Sequence, residues 1–459
     1  MRVFGSSGTR GVANEDLTPA FALRVAEAAG SVWDAPRAAV GRDTRRTGRM
    51  FVNAVATGLA AVGTDAARLG VVPTPALQAY AAEEGVPAIM VTASHNPPEY
   101  NGLKLVGPDG VELAVDDLER IESALLAERF EPVGWDATGE DVTVEGTRRR
   151  YVESLLATVE RDAIAAADLT VALDPGHGAG ALTSPAFYRE LGCRVVTVNA
   201  QPDGRFPGRN PEPVEPNLAD LGRLVRASEA DVGVAHDGDA DRAIFYDERG
   251  EYVEGDATLA ALAAAELGAD DVAVSAVNVS QRLADVCDAA GADLDLTPIG
   301  STRIMTRIRE LEAEGRVVPI AGEGNGGVIF PAYRITRDGA YTGARFLELL
   351  ATAGLEASEV LAPYDDYANV RVNVAYDTDA EREALLAAAA ARARSEDAEL
   401  TTIDGFRLDY GDAWVLARPS GTEPVVRVYA EAREESRARE LAESFADALL
   451  AAVDEASID

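Results

Sequence analysis

Apolar positions recur along this chain with two periods, about 3.6 residues in some stretches and short uninterrupted runs in others, and the period decides the predicted element. Helical spacing covers 19–33 and 50–62 and begins again at Ala76, while the apolar runs 38–40, 66–72 and 86–91 read as buried strands. Residues 1–4 read as one more short strand, which runs into a glycine-rich and hydroxyl-rich loop at 5–11. Strands alternating with helices predict an α/β domain with a largely parallel sheet. Periodicity fades over 128–146, where Pro132, Gly134 and Gly139 mark a linker. A second α/β unit follows, with a helix over 148–159 and strands over 169–173, 194–198 and 231–235. A third has helices over 258–267 and 280–289, a strand over 272–275, a turn at 297–300, a helix ending near Glu312 and a strand over 317–321.

Past Pro363 the design changes: a strand over 368–374, an alanine-rich helix over 380–394, four short strands over 400–403, 406–408, 414–417 and 425–430, and a helix over 434–453. The predicted fold class is therefore α/β. Three related α/β domains with mixed sheets (1–145, 146–249 and 250–364) are followed by a smaller α+β domain, 365–459. Each of the first three ends an apolar strand in a polar loop, so as structural repeats they would turn those loops toward one central cleft.

Charge narrows the choice of partner. With 78 acidic and 42 basic residues the chain carries a formal charge of −36, which argues against nucleic acid or an anionic membrane as a ligand. Any phosphate site must then be built locally. Excess acid with a single lysine is the pattern expected of a protein in a high-salt, halophilic cytoplasm, although a GC-rich genome would also replace Lys by Arg. Cys193 and Cys287 are far apart in apolar or helical settings and are expected as buried free thiols. No apolar run approaches membrane-spanning length and the first residues carry no apolar leader, so a cytoplasmic location is expected.

Five loops carry the candidate chemistry. The first, TASHNPPEYNGLK at 92–104, follows a buried strand, and Pro97 and Pro98 forbid an immediate helix, so Ser94 and His95 are expected to be presented at the open end of a sheet. It ends on Lys104, the only lysine present; an ammonium can release its proton where a guanidinium cannot. The loop at 5–11 adds Arg10, a cation beside backbone N–H groups that could meet an anion. In the second unit, HDGDADR places Asp237, Asp239 and Asp241 at alternate positions, a set able to converge on Mg²⁺. An EF-hand would need glycine where Arg242 stands, and an aspartyl-phosphate enzyme of the haloacid dehalogenase type is the better rival. The glycines at 176–180 miss the dinucleotide spacing and read as a strand-to-helix turn. The third unit delivers GEGNGG, with Glu323 and Asn325. Near the C-terminus, RPSGTEP and a following arginine combine Arg418, Ser420, Gly421, Thr422 and Arg427 in a phosphate cradle.

In this order TASHNP, DGDADR and RPSGTEP resemble the α-D-phosphohexomutase family of phosphoglucomutases, phosphomannomutases and phosphoglucosamine mutases, over nearly the whole chain. The resemblance implies an isomerase that interconverts hexose 1- and 6-phosphates through a phosphoserine at Ser94 and a hexose 1,6-bisphosphate, which also serves as activator. It implies one Mg²⁺ per chain, held by the phosphate on Ser94 and by Asp237, Asp239 and Asp241. Lys104 is the expected general acid/base, Arg10 supports it, Arg242 lies near the phosphoryl group, and His95 orients the loop. Glu323 and Asn325 would hold sugar hydroxyls, and the 418–427 cradle the non-reacting phosphate. A phosphosugar is the expected partner, with the chain a monomer or homodimer. The pattern departs from the family at Asn325, where serine is frequent, at Gly324, where a bulkier residue is frequent, and after Gly300, where Ser301, Thr302 and Arg303 replace a common histidine or lysine. All of these touch sugar recognition. A metal-dependent phosphatase or a non-catalytic sugar-phosphate sensor are the alternatives, and neither needs Ser94.

Overall fold

A computed structural model describes residues 4, 5, 8–420 and 424–456 and shows four sheets. In the first, the spatial order is Thr9–Val12, Tyr100–Val106, Ala88–Val91, Arg37–Arg42, Asp65–Val71 and Asp141–Thr143, with Tyr100–Val106 antiparallel to both neighbours and the other pairings parallel. The second and third sheets have five strands each, and the fourth is a five-stranded antiparallel sheet covered by helices Asp379–Ser395 and Glu435–Ala456. The architecture is thus the three mixed α/β units and one α+β unit that periodicity predicts.

The first three sheets share one topological device. A buried strand runs parallel to the sheet centre, a polar loop follows, and the chain returns antiparallel: Ala88–Val91 to Tyr100–Val106, Val232–Ala235 to Ile244–Tyr246, and Ala321–Glu323 to Gly327–Phe330. The three polar loops singled out in the sequence are these reversals. A parallel-to-antiparallel switch leaves the loop at the C-terminal end of a central strand, where open sheets offer a crevice.

Local chemistry explains many boundaries. Helix Pro19–Trp33 starts with proline, is capped by the Thr18 side chain accepting from Phe21 N–H, and stops at Asp34 in a left-handed conformation. Gly85 and Gly354 close helices in the same way.

Several expectations need correction. Residues 5–11 are not all loop, because Thr9–Val12 is an edge strand and Arg10 stands on it; the strand expected at 1–4 falls mostly outside the described residues. Lys104 lies on strand Tyr100–Val106 rather than in the loop, its charge masking an otherwise buried run. The strand expected over 317–321 begins only at Ala321, and Asp141–Thr143 extends the first sheet inside the expected linker. The return strands Gly327–Phe330 and Arg334–Arg337 and strand Asp293–Thr297 carry too few residues for a clear period.

The core is continuous across the first three units, where Leu77, Tyr151, Phe187, Phe245, Leu259 and Phe346 belong to one buried cluster. The fourth unit has its own core, and a small patch of Val277, Trp414 and Leu416 joins it to the third. Its polar seam is made by Glu431, which accepts from Ser280 Oγ, Gln281 N–H and Trp414 Nε1, and by Arg407, which donates to the Val277 carbonyl.

Candidate active site

Ser94 is fully buried, not presented at the surface as the loop sequence predicts. The reason is the second unit: the metal-loop glycine, Gly238, lies so close to the Ser94 carbonyl that a β-carbon there would sit 2.6 Å from it. Ser94 itself has φ +51, a left-handed conformation costly for a residue with a side chain and characteristic of functional turns. Its Oγ donates to Asp237 Oδ2 at 2.6 Å and lies 3.3 Å from His95 Nδ1.

A buried arginine holds the serine loop in this shape. Arg45 donates to the carbonyls of Ser94 (2.8 Å), Asn96 (2.6 Å), Tyr100 (3.0 Å) and Pro97, and its Nε pairs with Asp43 Oδ2 at 3.0 Å. Asp43 also accepts from Thr92 Oγ1, which in turn accepts the Ser94 N–H. The irregular backbone therefore keeps its hydrogen bonds without a helix or ladder.

Asp237, Asp239 and Asp241 are buried, and each offers an oxygen within 4.8 Å of the others. It is the one such group of ligand side chains found among the described residues. Asp239 Oδ1 and Asp241 Oδ1 are buried without a hydrogen-bond partner. An all-oxygen donor set with orphaned oxygens fits a hard divalent cation such as Mg²⁺. Glu248, at the twelfth position counted from Asp237 where an EF-hand would place a ligand, points elsewhere and accepts from Ser358.

Two cations reach this cluster from other units. Lys104, 1% exposed, donates to Asp239 Oδ2 and Asp241 Oδ2, each at 2.8 Å, and Arg337 Nη2 donates to Asp241 Oδ2 at 2.7 Å. Burial alone would lower the Lys104 pKa, but Asp239, Asp241 and Glu112 outweigh it and hold the ammonium above its ordinary range. The lysine read from the sequence as able to release its proton is thus surrounded by carboxylates that hold it charged. Burial would raise Asp241, yet Arg337, Lys104 and Arg242 hold it well below the usual carboxylate range. Asp237 has only Arg242 for a cation and is pushed up by burial and by the other two acids. Arg242 Nε stays 4.0 Å from Asp237 Oδ2 and from Asp241 Oδ1. His95 is held neutral, its pKa lowered by Arg242, burial and Arg10. Arg10 Nη1 donates to Asn96 Oδ1 at 3.1 Å.

The third loop abuts this cluster. Ala243 N–H donates to the Gly326 carbonyl at 3.0 Å, and the Arg337 stem underlies Gly327. Asn325 spans its own turn, accepting from Gly327 N–H at 3.0 Å, and its Nδ2 lies 3.4 Å from Glu323 Oε2. Of the expected phosphate cradle, Arg418 and Arg427 face each other in register on strands Ala413–Pro419 and Val425–Ala432, and Ser420 N–H donates to the Val425 carbonyl. Gly421 and Thr422 lie outside the described residues. Arg418 pairs with Asp404, which also accepts from Ile299 N–H, so the cradle is tied to the 297–300 turn. Sequence reasoning missed Arg45, Asp43, Thr74, Glu112 and Arg337. Thr74, whose hydroxyl donates to Asp239, begins a helix with no motif around it; Arg337 directly precedes the helix-capping Asp338, a faint signal.

Four family models match the chain in succession: phosphoglucomutase/phosphomannomutase alpha/beta/alpha domains I, II and III over 1–132, 149–250 and 254–367, and the C-terminal domain over 368–448. A Thermococcus kodakarensis protein named phosphoglucomutase/phosphomannomutase is 40% identical, covering 96% of this chain and 97% of its own. A Methanopyrus kandleri protein named a probable phosphoglucosamine mutase is also 40% identical, covering 99% of each. Among solved structures, a phosphoglucomutase/phosphomannomutase family protein from Burkholderia thailandensis superposes with a TM-score of 0.84 at 29% identity, covering 98% of this chain and 97% of that one.

Proposed function

Since the chain belongs to the phosphoglucomutase/phosphomannomutase family and is a sugar-phosphate mutase, we propose that it interconverts hexose 1- and 6-phosphates through phosphorylated Ser94 and a hexose 1,6-bisphosphate. The observation that carries this reading is the Ser94 hydroxyl bonded at 2.6 Å to one aspartate of a cluster whose other two members pair with Lys104.

Asp237, Asp239 and Asp241, with the phosphate on Ser94, would hold Mg²⁺. That ion supplies charge neutralisation for the phosphoryl group in flight. Lys104, kept protonated on the same carboxylates, gives a proton to the Ser94 oxygen as the phosphoryl group departs, and returns to the charged form with the proton of the sugar hydroxyl. Arg10 and Arg242 add positive charge beside the serine, and neutral His95 braces the loop. Glu323 and Asn325 receive sugar hydroxyls. Arg418, Ser420, Gly421, Thr422 and Arg427 take the phosphate that does not react, and accept it in either orientation of the intermediate. Burial of Ser94 supports the reading, because a phosphoenzyme must keep water from its phosphate.

The relatives named for glucose, mannose and glucosamine phosphates define the substrates to compare. Ser94→Ala is expected to abolish 1-to-6 interconversion of all three, assayed with a trace of bisphosphate. A metal-dependent phosphatase or a binding-only protein would keep its activity in that variant, so an unimpaired Ser94→Ala protein overturns the proposal.

A further inference from the structure

The loop at 323–327 reads the sugar in the function proposed above, and this inference rests on that reading. Its glycines are hemmed in by different neighbours. Gly326 meets the Ala243 carbonyl, and Gly327 meets the stem of Arg337, a residue already committed to Asp241. Gly324, between Glu323 and Asn325, meets a carboxylate: a β-carbon built there would overlap both oxygens of Asp256. One built on Gly255 would overlap the Gly324 carbonyl oxygen, so the N-terminal turn of helix Gly255–Glu266 is seated directly against this loop.

Asp256 is the acidic residue of that first turn, where a carboxylate suits the helix N-terminus, yet its side chain is turned against the sugar loop. Among the described residues no cation pairs with it within 4.0 Å, Arg282 acting on it only from farther off, and its one hydrogen bond is a long one, Oδ1 accepting from Ser280 N–H at 3.4 Å. Burial and the nearby Glu431 push its carboxyl up to about 7. Ser280 Oγ donates at 3.1 Å to Glu431, on the strand that also carries Arg427. Asp256 therefore stands between the sugar loop and the strand of the phosphate cradle.

We propose that Asp256 is a specificity-determining positioning residue: its carboxyl group fills the volume that a side chain at position 324 would take, and thereby sets where Glu323 and Asn325 meet the hexose ring. The ligand class is the hexose phosphates that differ at C2, with a hydroxyl in either configuration or an amino group. The role is one of shape, and Asn at 256 preserves it.

The test compares kcat and KM for glucose, mannose and glucosamine 1-phosphates in wild type, Asp256→Ala, Asp256→Asn, Gly324→Ser and the two Gly324→Ser double variants. Asp256→Ala is expected to change the ratio of kcat/KM between the best and second-best sugars by about tenfold, mainly through KM, the size of effect one pocket group exerts on discrimination. Asp256→Asn keeps the wild-type ratio. Gly324→Ser is damaging alone, is rescued by Asp256→Ala, and is not rescued by Asp256→Asn. An Asp256→Ala enzyme with unchanged ratios, or Gly324→Ser equally damaging in every background, overturns the proposal. Asp256→Ser, a smaller deletion, carries the same comparison if the alanine variant does not unfold cooperatively. A wild type inactive on all three sugars removes the mutase reading and this inference together, whereas unchanged ratios in an active enzyme remove the inference alone.

Discussion

At the scale of single residues, the site is a charge ledger written in buried side chains. Three carboxylates within 4.8 Å of one another repel strongly unless cations intervene, and Lys104 and Arg337 neutralise two of them. Lys104 contacts both Asp239 and Asp241 with one small ammonium, at 1% exposure. A guanidinium is wider, planar and fixed in its fork, so it cannot occupy the same point or give up a proton there. Lys104→Arg is accordingly expected to lower kcat by about a hundredfold or more, the usual scale of general acid–base assistance, while phosphosugar binding measured by calorimetry persists. Near-normal turnover in that variant would remove Lys104 from the proton-transfer role. The lone lysine was conspicuous in the sequence because every other basic position is arginine. Arg45 and Arg337 were hidden by the same fact: one buried arginine looks like any other until the fold shows what surrounds it.

At the scale of elements, the repeated reversal of a parallel strand into an antiparallel one is what places chemistry at corresponding points of three sheets. The alternation of strands and helices was legible because long helices such as Pro19–Trp33 keep their period over four turns. The return strands were not, since a strand of four residues such as Gly327–Phe330 offers no period to read. The serine loop also depends on a contact remote in sequence. Arg45 lies some 50 positions before the carbonyls it organises, and its pair with Asp43 is fully buried. Removing one partner of a buried ion pair costs about 3–5 kcal/mol, because the other charge is left without compensation. Arg45→Ala should thus lower the unfolding free energy in urea by that amount. It should also open the 92–99 segment to limited proteolysis before global unfolding. A variant with wild-type stability and an intact loop would show that Asp43 and Thr92 hold the serine without the arginine.

At the scale of the whole molecule, the acid excess separates into two populations. Inside the site, arginine and lysine balance the carboxylates at close range, where solvent ions screen little. Outside it, single arginines serve two acids at once, as Arg149 does with Glu153 and Glu190, and Arg307 with Asp295 and Glu310. With 78 acids to 42 bases, even such sharing does not balance the acid excess. Self-repulsion at a net charge of −36 works against the compact state. The Debye length falls from about 10 Å at 0.1 M to about 3 Å at 1 M, so salt removes most of this repulsion within that interval. The thermal midpoint is therefore expected to climb steeply in KCl up to roughly 1 M and more gently above it. Screening of the surface should leave the buried pairs intact, so the loss caused by Arg45→Ala should be the same at low and high KCl. A midpoint that does not respond to KCl would assign the lysine-poor, acidic composition to genome bias instead of salt adaptation. A mutant penalty that shrinks with salt would show that ions reach the serine loop and that its charges are not sealed from solvent.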